Sequence, residues 1–80
     1  MDVGSEEPLV TCDPDVLGGK PVFRNTRIPV LQILRHYYVE KWSVEEIVSE
    51  YPSLDPQTVR RVIEEYEKNG GVLRVRFVVR

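Results

Sequence analysis

Four side chains able to meet nucleic acid fall within five consecutive positions: Gln57, Thr58, Arg60 and Arg61. Glutamine can bond adenine in a bidentate manner, and arginine can do so with guanine or hold a phosphate. Ser43 and the amides that follow it form a second candidate phosphate contact. Arg24 and Arg27 flank a turn, and Arg74, Arg76 and Arg80 stripe the C-terminal stretch. These are candidate contacts for phosphate or for an acidic partner. The same residues have a plainer reading. Arg60 with Glu64, and Arg61 with Glu65, stand at the i,i+4 spacing of ordinary helix-surface pairs. With Glu67 added, their helix has no net positive charge. Arginines on an edge strand also discourage aggregation. Both readings stay open on these residues alone.

No catalytic constellation is expected. The carboxylate pairs Glu45/Glu46 and Glu64/Glu65 read as solvated helix faces. Cys12 is the only cysteine and His36 the only histidine, so no internal disulfide and no Cys/His zinc set can form. Neither a metal nor a cofactor is expected. His36 falls away from the Leu34/Tyr37 face and reads as a surface histidine. Gly18-Gly19-Lys20 lacks the frame of a phosphate-binding loop and reads as a turn. Cys12 reads as a small apolar residue near a strand.

The elements that must position these side chains follow from spacing and caps. Leu9 to Cys12 reads as a short strand, Asp13-Pro14-Asp15 as a turn, and Val22-Phe23 as a strand that pairs back. Arg24 to Arg27 is a turn in which Asn25 is best suited to a positive φ. A first helix is expected from about Pro29 to Lys41-Trp42, with Val30, Leu34, Tyr37 and Tyr38 at helical spacing. Ser43-Val44-Glu45-Glu46 is a capping box that opens a second helix, which Pro52 stops. Leu54 is expected to be a buried staple in the turn. Asp55 and Pro56 are the N-cap and first residue of a third helix, whose inner face is Val59, Val62, Ile63 and Tyr66. Asn69-Gly70-Gly71 closes it. The aromatic residues Tyr37, Tyr38, Trp42, Tyr51 and Tyr66 follow the inner helical faces and read as core. Leu73, Val75, Phe77 and Val79 then alternate with Arg74, Arg76, Val78 and Arg80, which argues a strand. An isolated strand is unstable, so this one must pair with the N-terminal strands or with another chain.

Eighty residues make one domain with a small core. Without a disulfide or metal, oligomerisation or a heteromeric partner is the expected aid. Eleven basic and 13 acidic residues leave a net charge of −2, which is not the balance of a dedicated nucleic-acid binder. The sequence carries no run long and apolar enough to span a membrane, no signal peptide is expected, and a lone cysteine suits a reducing cytosol. Residues 1–8 read as a frayed, acidic tail.

Asp13-Pro14, Gly18-Gly19-Lys20-Pro21, Thr26-Arg27-Ile28-Pro29-Val30, Ser43-Val44-Glu45-Glu46-Ile47 and Tyr51-Pro52-Ser53-Leu54 occur in that order. This series resembles the DUF433 family of bacteria and archaea, from about Leu9 to Tyr66. The resemblance implies a homeodomain-like or winged-helix fold. Some members are regarded as VapB-like antitoxins, which silence a PIN-domain ribonuclease toxin and repress their own operon. Two departures stand out: Asn25 occupies a usual glycine position before Thr26-Arg27, and Lys41 stands where glycine often ends the first helix. The tail from Val72 to Arg80 lies outside the family pattern.

The expectation is therefore a mainly α, three-helix helix–turn–helix domain over residues 9–70, with short N-terminal strands and a C-terminal strand over 71–80. It is read as an antitoxin-like DNA-binding regulator, cytoplasmic and homodimeric, with double-stranded DNA and a PIN-domain toxin as partners. Ser43, Gln57, Thr58, Arg60 and Arg61 would meet DNA, and Arg24, Arg27, Arg74 and Arg76 would meet phosphate or a partner. The alternative is a protein-interaction or dimerisation module that never touches DNA.

Overall fold

The computed structural model describes residues 8–79. Most of the expected N-terminal tail lies outside them. Three helices and a three-stranded sheet make a small mixed domain in which helix predominates. The order is β1 (Val10–Cys12), β2 (Val22–Phe23), α1 (Val30–Tyr38), α2 (Val44–Glu50), α3 (Pro56–Lys68) and β3 (Val75–Phe77). β1 is the central strand. It pairs antiparallel with β2 and parallel with β3, with Val10 opposite both Phe23 and Val75. The last strand thus pairs within its own chain, on the N-terminal strand.

Register divides the sheet into two faces. Val10, Phe23 and Val75 point to the helices and join the core with Val30, Ile33, Leu34, Ile47, Leu54, Val59, Val62 and Ile63. Thr11, Val22 and Arg76 lie on the opposite, outer face, because neighbouring residues of a strand alternate sides. Ile33, Ile47 and Val59, one from each helix, are completely buried. Truncating such a side chain to alanine typically costs about 2–5 kcal/mol for isoleucine, so these three hold the helices together. Tyr37, Tyr38, Trp42, Tyr51 and Tyr66 pack against this core at its margin.

The caps form as their sequences require. Ser43 Oγ accepts from the Glu46 amide (3.1 Å), and Glu46 Oε1 accepts from the Ser43 amide (2.7 Å). Asp55 accepts from the Gln57 amide, and Pro56 opens α3. Beyond Lys68, Gly70 and Gly71 both take positive φ, and the Gly71 amide donates to Tyr66 O at 2.7 Å. Leu54 is buried in the turn.

One helix differs from its expected span. α1 ends at Tyr38 rather than near Lys41-Trp42, and Pro29 is its N-cap, with an extended ψ. The early end follows from the backbone of Lys41, whose φ of 63° lies in the left-handed region. The chain turns there, and the Trp42 amide donates back to His36 O. Asn25, expected to take a positive φ in its turn, has a φ of 65°.

Candidate functional site

α2 and α3 meet through a short turn, and the four candidate base-reading residues lie on the first two turns of α3. Gln57, Arg60 and Arg61 are exposed, and Thr58 is half-buried. The buried positions Val59, Val62 and Ile63 set this rotation, since the apolar stripe must face the core. Arg60 does not pair along its own helix with Glu64. Its guanidinium reaches across to Glu45 Oε2 of α2 at 2.6 Å. Ser43 uses both its hydroxyl and its amide within the capping box. The face made by α2 is acidic, with Trp42, Glu45, Glu46, Ser49 and Glu50 lining a shallow groove of about 440 Å³.

A second site gathers residues that the sequence leaves far apart. Thr11, Asp13, Arg24, Arg27, Arg76 and Val78 line a cleft of about 440 Å³ against the outer face of the sheet. Three of the five arginines singled out as phosphate or partner contacts line this cleft. Arg74 lies 3.7 Å from Glu65 of α3, and Arg80 lies outside the described residues. Asp13, only 8% exposed, was not singled out by spacing; its Oδ1 accepts from the Asp15 amide at 2.9 Å and shapes the loop. The opposite wall is the 24–27 turn, which is closed by backbone bonds. Phe23 N donates to Ile28 O, and Thr26 N to Phe23 O, each at 3.0 Å. The Thr26 hydroxyl donates to Phe23 O and accepts from Ile28 N. Arg24 is fixed at both ends, its amide donating to Leu9 O and its Nη1 to Pro8 O.

A third cluster lies between α1 and α2. His36 is not a plain surface residue: its ring stacks on Trp42, with centroids 4.0 Å apart and planes 4° from parallel. Gln32 Nε2 donates to the Tyr51 hydroxyl (2.5 Å), Tyr51 lies 3.0 Å from His36 Nε2, and His36 Nδ1 bonds Glu40 Oε1. A carboxylate only accepts, so Nδ1 donates to Glu40, while Nε2 and the Tyr51 hydroxyl share the second hydrogen bond. The signal was available: Gln32, His36 and Glu40 stand at successive i,i+4 positions, one row of a helix. What sequence could not supply was Tyr51, brought in from the end of α2.

Two groups on the inner side have shifted protonation. Burial, aided by the hydrogen bond to Glu67 (2.6 Å), pushes the Tyr38 phenol well above its ordinary range. Burial likewise raises the Cys12 thiol. Among the described residues, no group of three or more His, Cys, Asp and Glu is placed to hold a metal ion, and no helix is long and apolar enough to cross a membrane.

Comparison with known proteins places this arrangement. The family model described as "Protein of unknown function (DUF433)" matches residues 10–66. "Uncharacterized protein y4eO" of Sinorhizobium fredii is 39% identical over 59 residues, which are 74% of this chain and 26% of that protein. The crystal structure of a DUF433 member protein from Anabaena variabilis is similar at a TM-score of 0.64 and 29% identity, covering 82% of this chain and 64% of that one. The chain thus spans about a quarter of the curated relative and just under two thirds of the solved one.

Proposed function

We propose, from the premise that this chain belongs to the DUF433 family, that it is an antitoxin-like regulator that binds DNA through α3. In this reading α2, its turn and α3 form a helix–turn–helix unit of the homeodomain-like or winged-helix kind. Its partners are double-stranded DNA, a second copy of the chain and a PIN-domain ribonuclease toxin, all in the cytoplasm. The observation that carries it is the rotation of α3. The buried stripe of Val59, Val62 and Ile63 turns Gln57, Arg60 and Arg61 outward near the helix start, where a recognition helix meets base edges. A two-fold dimer would present two such helices about 34–36 Å apart, one turn of the duplex. The test is a shift assay with the DNA upstream of its own gene. The reading expects binding that weakens in an Arg60→Ala/Arg61→Ala variant. Unchanged affinity in that variant removes α3 from the interface.

One observation favours a second reading, a protein-interaction module without DNA contact. β3 is an edge strand of the sheet; its last residue Phe77 and, just beyond it, Val79 are 74% and 92% exposed. An edge with apolar side chains can add a strand from another chain. Replacing both with serine should lower the mass in solution if this edge assembles copies. The same mass before and after excludes the edge.

A further inference from the structure

We propose that β3 pairs with the β3 of a second copy of this chain, antiparallel and about a two-fold axis through Phe77. The inference rests on the edge-strand reading above and adds to it the partner and the register. Backbone direction comes first. The Val78 amide donates to Cys12 O of β1, and Cys12 stands opposite Phe77. The N–H and C=O groups of successive strand residues point to alternate sides. Arg76 and Val78 are therefore spent on β1, and Val75, Phe77 and Val79 present their amides and carbonyls at the open edge. Among the described residues, those groups have no hydrogen-bond partner. The opposite edge of the sheet is already taken. Val22 of β2 forms a bridge with Pro29, and the Val30 amide donates to Pro21 O.

Side chains choose the occupant. Val75, Phe77 and Val79 share the helix side of the sheet by alternation. Val75 reaches the core, whereas Phe77 and Val79 stay exposed. Only the two-fold register centred on Phe77 sets these three residues against one another, Phe77 on Phe77 and Val75 on Val79. Each such pair exchanges both its N–H···O bonds, and the apolar pairs join the two cores into one stripe. The same register places Arg76 opposite Val78, with Arg74 opposite residue 80 at the end of the ladder. A register centred on Val75 or Arg76 would set arginine against arginine, which is destabilising. The strand is thus complementary to itself, as a two-fold interface requires. A small core with no disulfide gains most from such a joint.

The experiment measures the mass of the full chain by light scattering over a dilution series. Isotope-filtered NOEs, in a sample mixed from labelled and unlabelled copies, then read the register. The expected result is a dimer with contacts between the Hα protons of Arg76 in one copy and Val78 in the other, whose Cα atoms lie about 4.5 Å apart in this register. Phe77→Pro removes an outward amide and leaves the bonds to β1 in place. It should raise the dimer dissociation constant about tenfold or more, since each copy loses one bond, with the helical circular dichroism unchanged. Should proline unfold the chain, the wild-type contacts decide alone. A monomer overturns the proposal and leaves the edge to a different chain. A Phe77→Pro dimer as tight as the wild type also overturns it. So does a dimer without the Arg76–Val78 contact; if serine at 77 and 79 still dissociates that dimer, the edge-strand reading stands and only this register falls. No readout lies on α3, so DNA binding is decided separately.

Discussion

Arg60 of α3 and Glu45 of α2 face each other across the helix pair, guanidinium to carboxylate at 2.6 Å. The pair is exposed, with 49% and 72% of the two side chains accessible, so it adds little to stability, roughly 0.2–1 kcal/mol. Its consequence is for binding. A carboxylate on Arg60 competes with any phosphate or base edge for the same donors. If α3 meets DNA, Glu45→Gln should tighten binding severalfold and steepen the salt dependence by about 0.9 in log–log slope, the value for one more phosphate contact. The measurement is affinity over a salt series for the wild type and the variant. An unchanged slope would mean that Arg60 has no phosphate to meet.

Lys41 and Asn25 share a left-handed backbone, at φ 63° and 65°. Asparagine tolerates that region better than a long side chain, because its amide can bond locally. Lys41→Gly should therefore stabilise the fold by about 0.5–1 kcal/mol, with Asn25→Gly closer to neutral. Urea unfolding of both variants checks the order. Equal effects would contradict the backbone argument.

The row of Gln32, His36 and Glu40 is tied to the end of α2 through Tyr51. Tyr51→Phe keeps the ring and removes the link, and should cost on the order of 1 kcal/mol. His36→Ala also loses the stack on Trp42 and should cost more. Thermal unfolding of the two variants tests the ranking, and a Tyr51→Phe protein as stable as the wild type would show that the link carries no weight.

Cys12 and Tyr38 give the protein an alkaline limit. Both are raised above their ordinary values of 9.0 and 10.0, so the folded state holds these protons more tightly than the unfolded chain. Stability from such groups is complete below the ordinary value and is lost as pH rises through the higher, folded one. Denaturant midpoints should fall from about pH 9 upward, and Tyr38→Phe should flatten the upper part of that fall. A parallel decline in the variant would assign the loss to other groups. Native Cys12 should also resist a thiol reagent that labels it at once in denaturant, since the thiolate is the reactive form.

Local chemistry was written in the sequence wherever it acts over a few residues. The Ser43–Glu46 box, the Asp55-Pro56 start, the stop before Pro52 and the Gly70-Gly71 closure each depend on side chains within about a turn of the backbone they satisfy. The buried stripe of α3 was equally legible, because its rotation needs only the 3.6-residue period. The end of α1 was not, because Lys41 takes a left-handed backbone without being a glycine. Tertiary structure decided which distant residues meet. Parallel pairing of β3 on β1 brings Arg76 beside Arg24 and Arg27, and no periodicity within either segment encodes that register. Packing of α2 against α1 brings Tyr51 to His36, and packing of α2 on α3 gives Arg60 a partner in Glu45 rather than Glu64. Spacing fixes which neighbours along one helix or strand are within reach; only the packed core decides which one across an interface is nearer.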